Sequence, residues 1–201
     1  MTHAVTRRTL LGGISAASLW LATAPASFAL SVEKSTTLVT ALVADINRVI
    51  ESGKSERAMY GDFQRIFATY ADVPTIARYA LGVEARSASP AQLKQFTAAF
   101  ETYIARKYGS QFRQFIGGRI EVDSAKQVKS FIEVKTTAHM RGEAPFEVKF
   151  LVSDKSGKHL FFNMFVEGIN MLLTERTEIG SMIDANRGDL NKTIAQLKSL
   201  S

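Results

Sequence analysis

The apolar residues of this chain change their period at Gly117-Gly118, and that switch limits the fold more than any other feature of the sequence. Upstream they recur at about 3.6 residues, the spacing of a helix that buries one face. One set is Leu38, Ala41, Leu42, Ile46, Val49 and Ile50, stopped by Gly53, and a second is Met59, Phe63, Ile66, Phe67 and Tyr70. Asp72-Val73-Pro74 then offers a capping carboxylate and a first-turn proline for a short third helix ending near Leu81-Gly82. Ser89-Pro90-Ala91-Gln92 is the clearest start signal, with Ser89 as N-cap, Pro90 losing only an orphan N–H, and Gln92 placed to close a capping box. From there Leu93, Phe96, Phe100, Tyr103, Ile104 and Tyr108 form an aromatic stripe, extended by Phe112 and Phe115.

Downstream of Gly118 the period is 2. Ile120 and Val122 alternate with charges; Val128, Ser130, Ile132 and Val134 alternate with Lys129, Glu133 and Lys135; Phe146, Val148, Phe150 and Val152 alternate with Glu147 and Lys149. Residues 141–145 and 154–158 carry turn chemistry between antiparallel neighbours. The stretch 159–166 is apolar on both parities, which predicts a central strand covered on both sides. Gly168 is expected to bulge or kink it, and 169–173 either extend the strand or open a helix, the strand being favoured. Helices are expected at 175–186 and 189–199, the last capped by Asp189. Helices, then a meander of strands, then helices make an α+β plan: a curved four-stranded antiparallel sheet, shaped as a half-cone, packed with helices and flanked by N- and C-terminal helical parts.

The first segment predicts a destination. Residues 1–32 hold no acidic side chain, carry Arg7 and Arg8 within Thr6-Arg7-Arg8-Thr9-Leu10-Leu11, and continue as a mild apolar run broken by Gly12, Gly13 and Pro25. This reads as an export signal of twin-arginine style, with small residues at Ser27-Phe28-Ala29 placing cleavage after Ala29 and Ala24-Pro25-Ala26 as the rival site. The expected division is a signal over 1–29 and one domain over 30–201. The formal charge of +6 falls to 6 − 2 = +4 without the two signal arginines, which argues little for nucleic acid.

Catalytic chemistry is sparse. The chain has no cysteine, which excludes thiol catalysis and cysteine-held metals. Gly53-Lys54-Ser55 lacks the upstream glycine of a phosphate loop, since that position is Arg48. His139 and His159 have no acidic or histidine neighbour at ligand spacing, and Glu121 with Asp123 reads as solvated charge. No catalytic residue, metal or cofactor is expected.

What the chain has in surplus is apolar side chains, with thirteen Phe and five Tyr concentrated on the 93–115 helix and the strands facing it. They suit an ordinary aromatic core. A sheet curved around a helix stripe also leaves room for a dry cavity that takes apolar guests. The expected lining is Tyr108 and Phe112 from the long helix, Ile132, Val134, Val148, Phe150, Phe162, Met164 and Ile169 from the sheet, and Tyr79 and Leu81 from the short helix. Each of these would serve equally in a solid core.

The chain resembles the MlaC or toluene-tolerance family of periplasmic phospholipid-binding proteins. The resemblance runs through Asp72-Val73-Pro74-Thr75-Ile76-Ala77-Arg78-Tyr79-Ala80-Leu81-Gly82, Ala88-Ser89-Pro90-Ala91-Gln92, Phe96-Thr97-Ala98-Ala99-Phe100 with Tyr103, Tyr108 and Gly109, and Val166-Glu167-Gly168-Ile169-Asn170-Met171-Leu172. It implies a non-enzymatic carrier that holds phospholipid tails in its cavity. It further implies shuttling between an outer-membrane lipoprotein complex and an inner-membrane ABC transporter bearing a ring of lipid-binding subunits. The head group is expected to stay outside, with loose discrimination, because no segment gathers the donors a buried phosphate needs. Two other readings use the same plan: a nuclear-transport-factor-like lyase or isomerase, and a protein binding hopanoid-related lipid.

Overall fold

The computed structural model describes residues 30–111 and 115–200. The expected export signal and its cleavage site lie outside the described residues, as does Phe112. Four helices come first: α1 (Val32–Glu51), α2 (Glu56–Tyr70), α3 (Val73–Leu81) and, after a 3-10 turn at Gly82–Arg86, α4 (Pro90–Gln111). Five antiparallel strands follow in sheet order equal to chain order: β1 (Arg119–Val128), β2 (Phe131–His139), β3 (Phe146–Ser153), β4 (Leu160–Val166) and the two-residue β5 (Ile169–Asn170). Helices α5 (Met171–Ala185) and α6 (Leu190–Ser199) close the chain.

The caps act as their side chains dictate. The Ser89 hydroxyl accepts from the Gln92 N–H at 3.2 Å while the Gln92 side-chain oxygen accepts from the Ser89 N–H at 3.0 Å, a reciprocal capping box. Asp72 caps α3 through the Thr75 N–H, and Asp189 caps α6 through Asn191 and Lys192. Gly118 ends the helical half where the chain passes so close to β2 that a Cβ would lie 2.2 Å from the His139 carbonyl oxygen. Only glycine allows that approach.

The sheet corrects three expectations. Val128 and Ser130 do not share a strand with Ile132: Val128 pairs with Phe131, and the chain reverses at Lys129-Ser130, with Lys129 at φ 52°. The strand predicted to be central has neighbours on both sides, but the outer one is short. β4 sits beside the short β5, and the rest of its outer side is met by the α2–α3 link, where the Asp72 N–H donates to the Phe161 carbonyl at 2.8 Å. Gly168 makes neither bulge nor kink. With Glu167 it forms a two-residue turn, both at positive φ, that pairs Val166 with Ile169. Residues 171–173 therefore open α5 instead of lengthening a strand, because the Asn170 side chain caps the Leu173 N–H.

The inward sheet face is Ile132, Val134, Thr136 and Ala138 of β2, Val148, Phe150 and Val152 of β3, and Phe161 of β4, all buried. Thr136 hides its hydroxyl by donating to the Val148 carbonyl at 2.9 Å. The outward face carries solvated ion pairs, Lys126 with Glu133 and Lys135 and Lys149 with Glu147. Helix α1 crosses the free edge of β1. There the Asn47 amide donates to the Ile120 carbonyl at 2.9 Å and accepts the Ile120 N–H at 3.0 Å, standing in for a neighbouring strand.

Candidate functional site

The curved, unclosed sheet and helices α1, α2 and α4 enclose a cavity of about 840 Å³, toward the upper end of the ~300–1,000 Å³ of small-molecule pockets. Each helix sends one apolar side chain per turn into the same space. Leu42 and Ile46 of α1, Phe63 and Ile66 of α2, and Phe100 and Ile104 of α4 are all buried and all line it. From the sheet side come Val148, Phe150 and Phe161. Phe161 meets Phe150 edge-on at 5.5 Å and Phe67 of α2 at 6.2 Å, so an aromatic contact joins helices to sheet at the cavity wall.

Among the described residues, the cavity reaches the surface at one rim. Gln111 at the end of α4, Glu143 and Ala144 in the β2–β3 turn, Glu167 in the β4–β5 turn, Ile169 and Thr174 line it and are exposed. The N-terminal end of α5 stands beside this mouth, but its donors are engaged: the Leu172 N–H goes to the Asn163 side-chain oxygen and the Leu173 N–H to that of Asn170.

Of the residues expected at the cavity, Tyr108, Val148, Phe150, Phe162, Met164 and Ile169 touch it. The Phe162 ring, however, packs edge-on at 5.9 Å against Phe131, whose parity in β2 is opposite to that of the buried Ile132. The cause is the register shift between Leu151 and Val152, which leaves Phe162 without a partner in β3. Leu81, Ile132 and Val134 are buried in solid core, away from the cavity. Leu81 ends α3, which packs against α5, and the inward face of β2 is covered by α1. Tyr79 lies outside, with its ring under the Arg176 guanidinium at 5.0 Å. The helical wall of α1 and α2 was not anticipated as lining, because an apolar stripe has the same spacing whether it meets side chains or a void.

Just inside the mouth lies a polar cluster that the sequence conceals. The Lys107 ammonium donates to Glu175 Oε1 at 2.8 Å and to Glu178; the Tyr108 hydroxyl donates to Glu175 and the Tyr103 hydroxyl to Glu178. These tyrosines had no visible acidic partner in the sequence because the pairs stand 67 and 75 residues apart. Burial, reinforced by the facing carboxylates, pushes both phenols above their ordinary range. Burial works against the Lys107 charge, but hydrogen bonds to Glu175 and Glu178 outweigh it and raise its pKa. Burial would likewise raise Glu178, and the bonds from Lys107 and Tyr103 outweigh that and lower it. Groups pushed away from neutrality in this manner hold structure and charge; they are poor proton shuttles. His139 gains a partner in Glu121 across the strands at 3.1 Å, and Arg119 draws the exposed Glu121 carboxyl down.

An α+β domain whose open sheet and helices surround an apolar cavity with a single described mouth belongs to the class that encloses a greasy ligand. Residues 37–199 match the MlaC protein family, and the chain belongs to it. It is 28% identical over 160 residues to the toluene tolerance protein ttg2D of Pseudomonas putida, covering 77% of this chain and 74% of that protein. Its fold matches the structure of a phospholipid-binding protein from Ralstonia solanacearum in complex with a phospholipid. The TM-score is 0.67 at 17% identity, over 82% of this chain and 98% of the other.

Proposed function

We propose that this protein is a non-enzymatic carrier that takes the acyl chains of a phospholipid into the cavity and ferries the lipid across an aqueous compartment. The observation that carries the reading is the cavity wall, apolar from α1, α2 and α4 to the sheet and open at one rim. Each buried methylene is worth about 0.8 kcal/mol against water, so two chains cannot cross the gap unshielded at useful rates. Bilayer and cavity are both apolar, which makes transfer between them nearly balanced and reversible. Membership in the MlaC family and the phospholipid complex of the Ralstonia solanacearum protein support the same cargo.

The finer reading places the carrier in the periplasm, delivered by the segment 1–29, between an outer-membrane lipoprotein complex and an inner-membrane Mla-type ABC transporter with lipid-binding ring subunits. Handover to either partner requires apolar surface at the mouth, and Ile169 and Leu173 stand exposed there. Native mass spectrometry of protein taken directly from the periplasm, followed by release of the ligand, tests the proposal. A two-chain phospholipid adduct is expected. Lipid-free protein after gentle extraction, with turnover of a small soluble substrate, overturns it in favour of the lyase or isomerase reading.

A further inference from the structure

Asn163 of β4 places a nearly buried amide in the cavity wall, between Phe162 and Met164, which also line it. The residue is 8% exposed. Its Oδ1 is fully used, accepting the Met164 N–H at 2.7 Å and the Leu172 N–H at 3.2 Å. Those two donors fix which end of the amide is oxygen, because the reverse orientation would set N–H against N–H. The Nδ2 end therefore points away from both backbone donors, and it carries two N–H groups that no described residue accepts.

That end is also open. Among the described residues, the side-chain polar atoms sealed off without a partner are Ser35 Oγ and Glu175 Oε2, and Asn163 Nδ2 is not one of them. The space that Asn163 borders is the cavity just inside the mouth, where Leu172, bonded to its Oδ1, lines the same wall with Met171. A buried donor without an acceptor is costly, and a guest that brings an acceptor removes the cost.

The surroundings select a neutral acceptor. One turn further along α5, Glu175 and Glu178 share Lys107, so that cluster carries −2 + 1 = −1 and repels a phosphate. Lys107 is held between the two carboxylates and is not free to offset it. The uncharged acceptor that a two-chain lipid presents between its tails and its head group is the ester carbonyl, which would lie where the apolar wall gives way to the rim.

The geometry points to Asn163 Nδ2 as the anchor for an acyl ester carbonyl of the cargo, fixing the depth to which the chains enter. This rests on the lipid-carrier reading and deepens it: recognition falls on the linkage, and the head group stays outside. An ether-linked lipid of equal chain length offers the same apolar bulk but brings no carbonyl.

The test incubates the purified protein with vesicles of equimolar diester and diether phosphatidylcholine of matched chains, then releases and counts the captured lipid. One hydrogen bond to a buried amide predicts about fivefold enrichment of the diester. Asn163→Asp keeps an oxygen for the Met164 and Leu172 N–H groups while removing both donors, and should bring the ratio to about one or below with lipid still captured. In isotope-labelled wild type, the Asn163 side-chain amide protons should move downfield in the NMR spectrum on loading with the diester and not with the diether. That measurement decides the matter even if Asn163→Asp fails to fold. Equal capture of the two lipids, enrichment that survives Asn163→Asp, or amide signals that do not distinguish the lipids overturns the assignment and leaves the carrier standing. Capture of neither lipid takes down the carrier reading itself.

Discussion

Replacing Lys107 by methionine tests the polar cluster that ties α4 to α5 at the cavity mouth. The substitution keeps most of the side-chain volume and removes the ammonium, leaving Glu175 with Tyr108 and Glu178 with Tyr103. Breaking a fully buried ion pair costs about 3–5 kcal/mol, because one charge is left uncompensated. Lys107 keeps 24% of its side chain in water and Glu178 38%, whereas Glu175 keeps only 4%. Screening at the first two lowers the expected loss to about 2 kcal/mol near neutral pH, or roughly 6 °C in Tm for a domain of this size.

The pH dependence follows from the sign of each shift. Lys107 is raised above its ordinary 10.5, so its contribution is full below that value and is lost as pH rises through the folded pKa. Glu178 is lowered below 4.5, so its contribution is present above that value and is lost as pH falls through the folded pKa. Both are therefore complete at neutrality. Urea unfolding of wild type and Lys107→Met should show its widest gap near pH 7 and a narrower one near pH 4, with unchanged slope. Lys107→Met/Glu175→Gln should recover more than half of the loss. A gap below about 0.5 kcal/mol at pH 7, or one of equal size at both pH values, would refute the argument that the cluster is a desolvated ion network.

Asn163→Ala should cost about 3 kcal/mol in chemical unfolding, because the Met164 and Leu172 N–H groups would both lose the same side-chain acceptor in a nearly buried position; a loss under 1 kcal/mol would mean that solvent reaches them. Val148→Asp places a carboxylate in the cavity wall and should destabilise by at least about 3 kcal/mol and abolish lipid capture; a well-folded variant with undiminished lipid would remove Val148 from the lipid-binding set. Trp20 is the only tryptophan in the chain, so protein processed after Ala29 should show no indole emission. An intact mass retaining residues 1–29 would contradict that processing.

Local chemistry was the legible part of the fold. The Ser89-Gln92 box, the Asp72 and Asp189 caps and the break at Gly118 depend on residues a few positions apart, and each forms as its side chains require. The strand break at Lys129-Ser130 was hidden because Val128, Ser130, Ile132 and Val134 keep perfect alternation across a two-residue turn. Alternation also misleads at Phe162, where one unpaired residue reverses the parity that its neighbours suggest. The cavity was legible as an apolar surplus but not as a boundary. Phe150 beside the void and Ile132 in solid core are equally apolar and equally buried, and only tertiary placement separates them. The Lys107 cluster was invisible for a plainer reason, since its partners come from helices separated by the entire sheet.

The two-way pairing of Asn47 with Ile120 has a mechanical consequence. An amide that both gives to and takes from one strand residue fits a single position along that strand, so α1 cannot slide over β1 without losing both bonds at once. Leu42 and Ile46, on the same helix, are thereby held at fixed depth, and the cavity has an anchored back wall. That side of the cavity is pinned to the edge of the sheet.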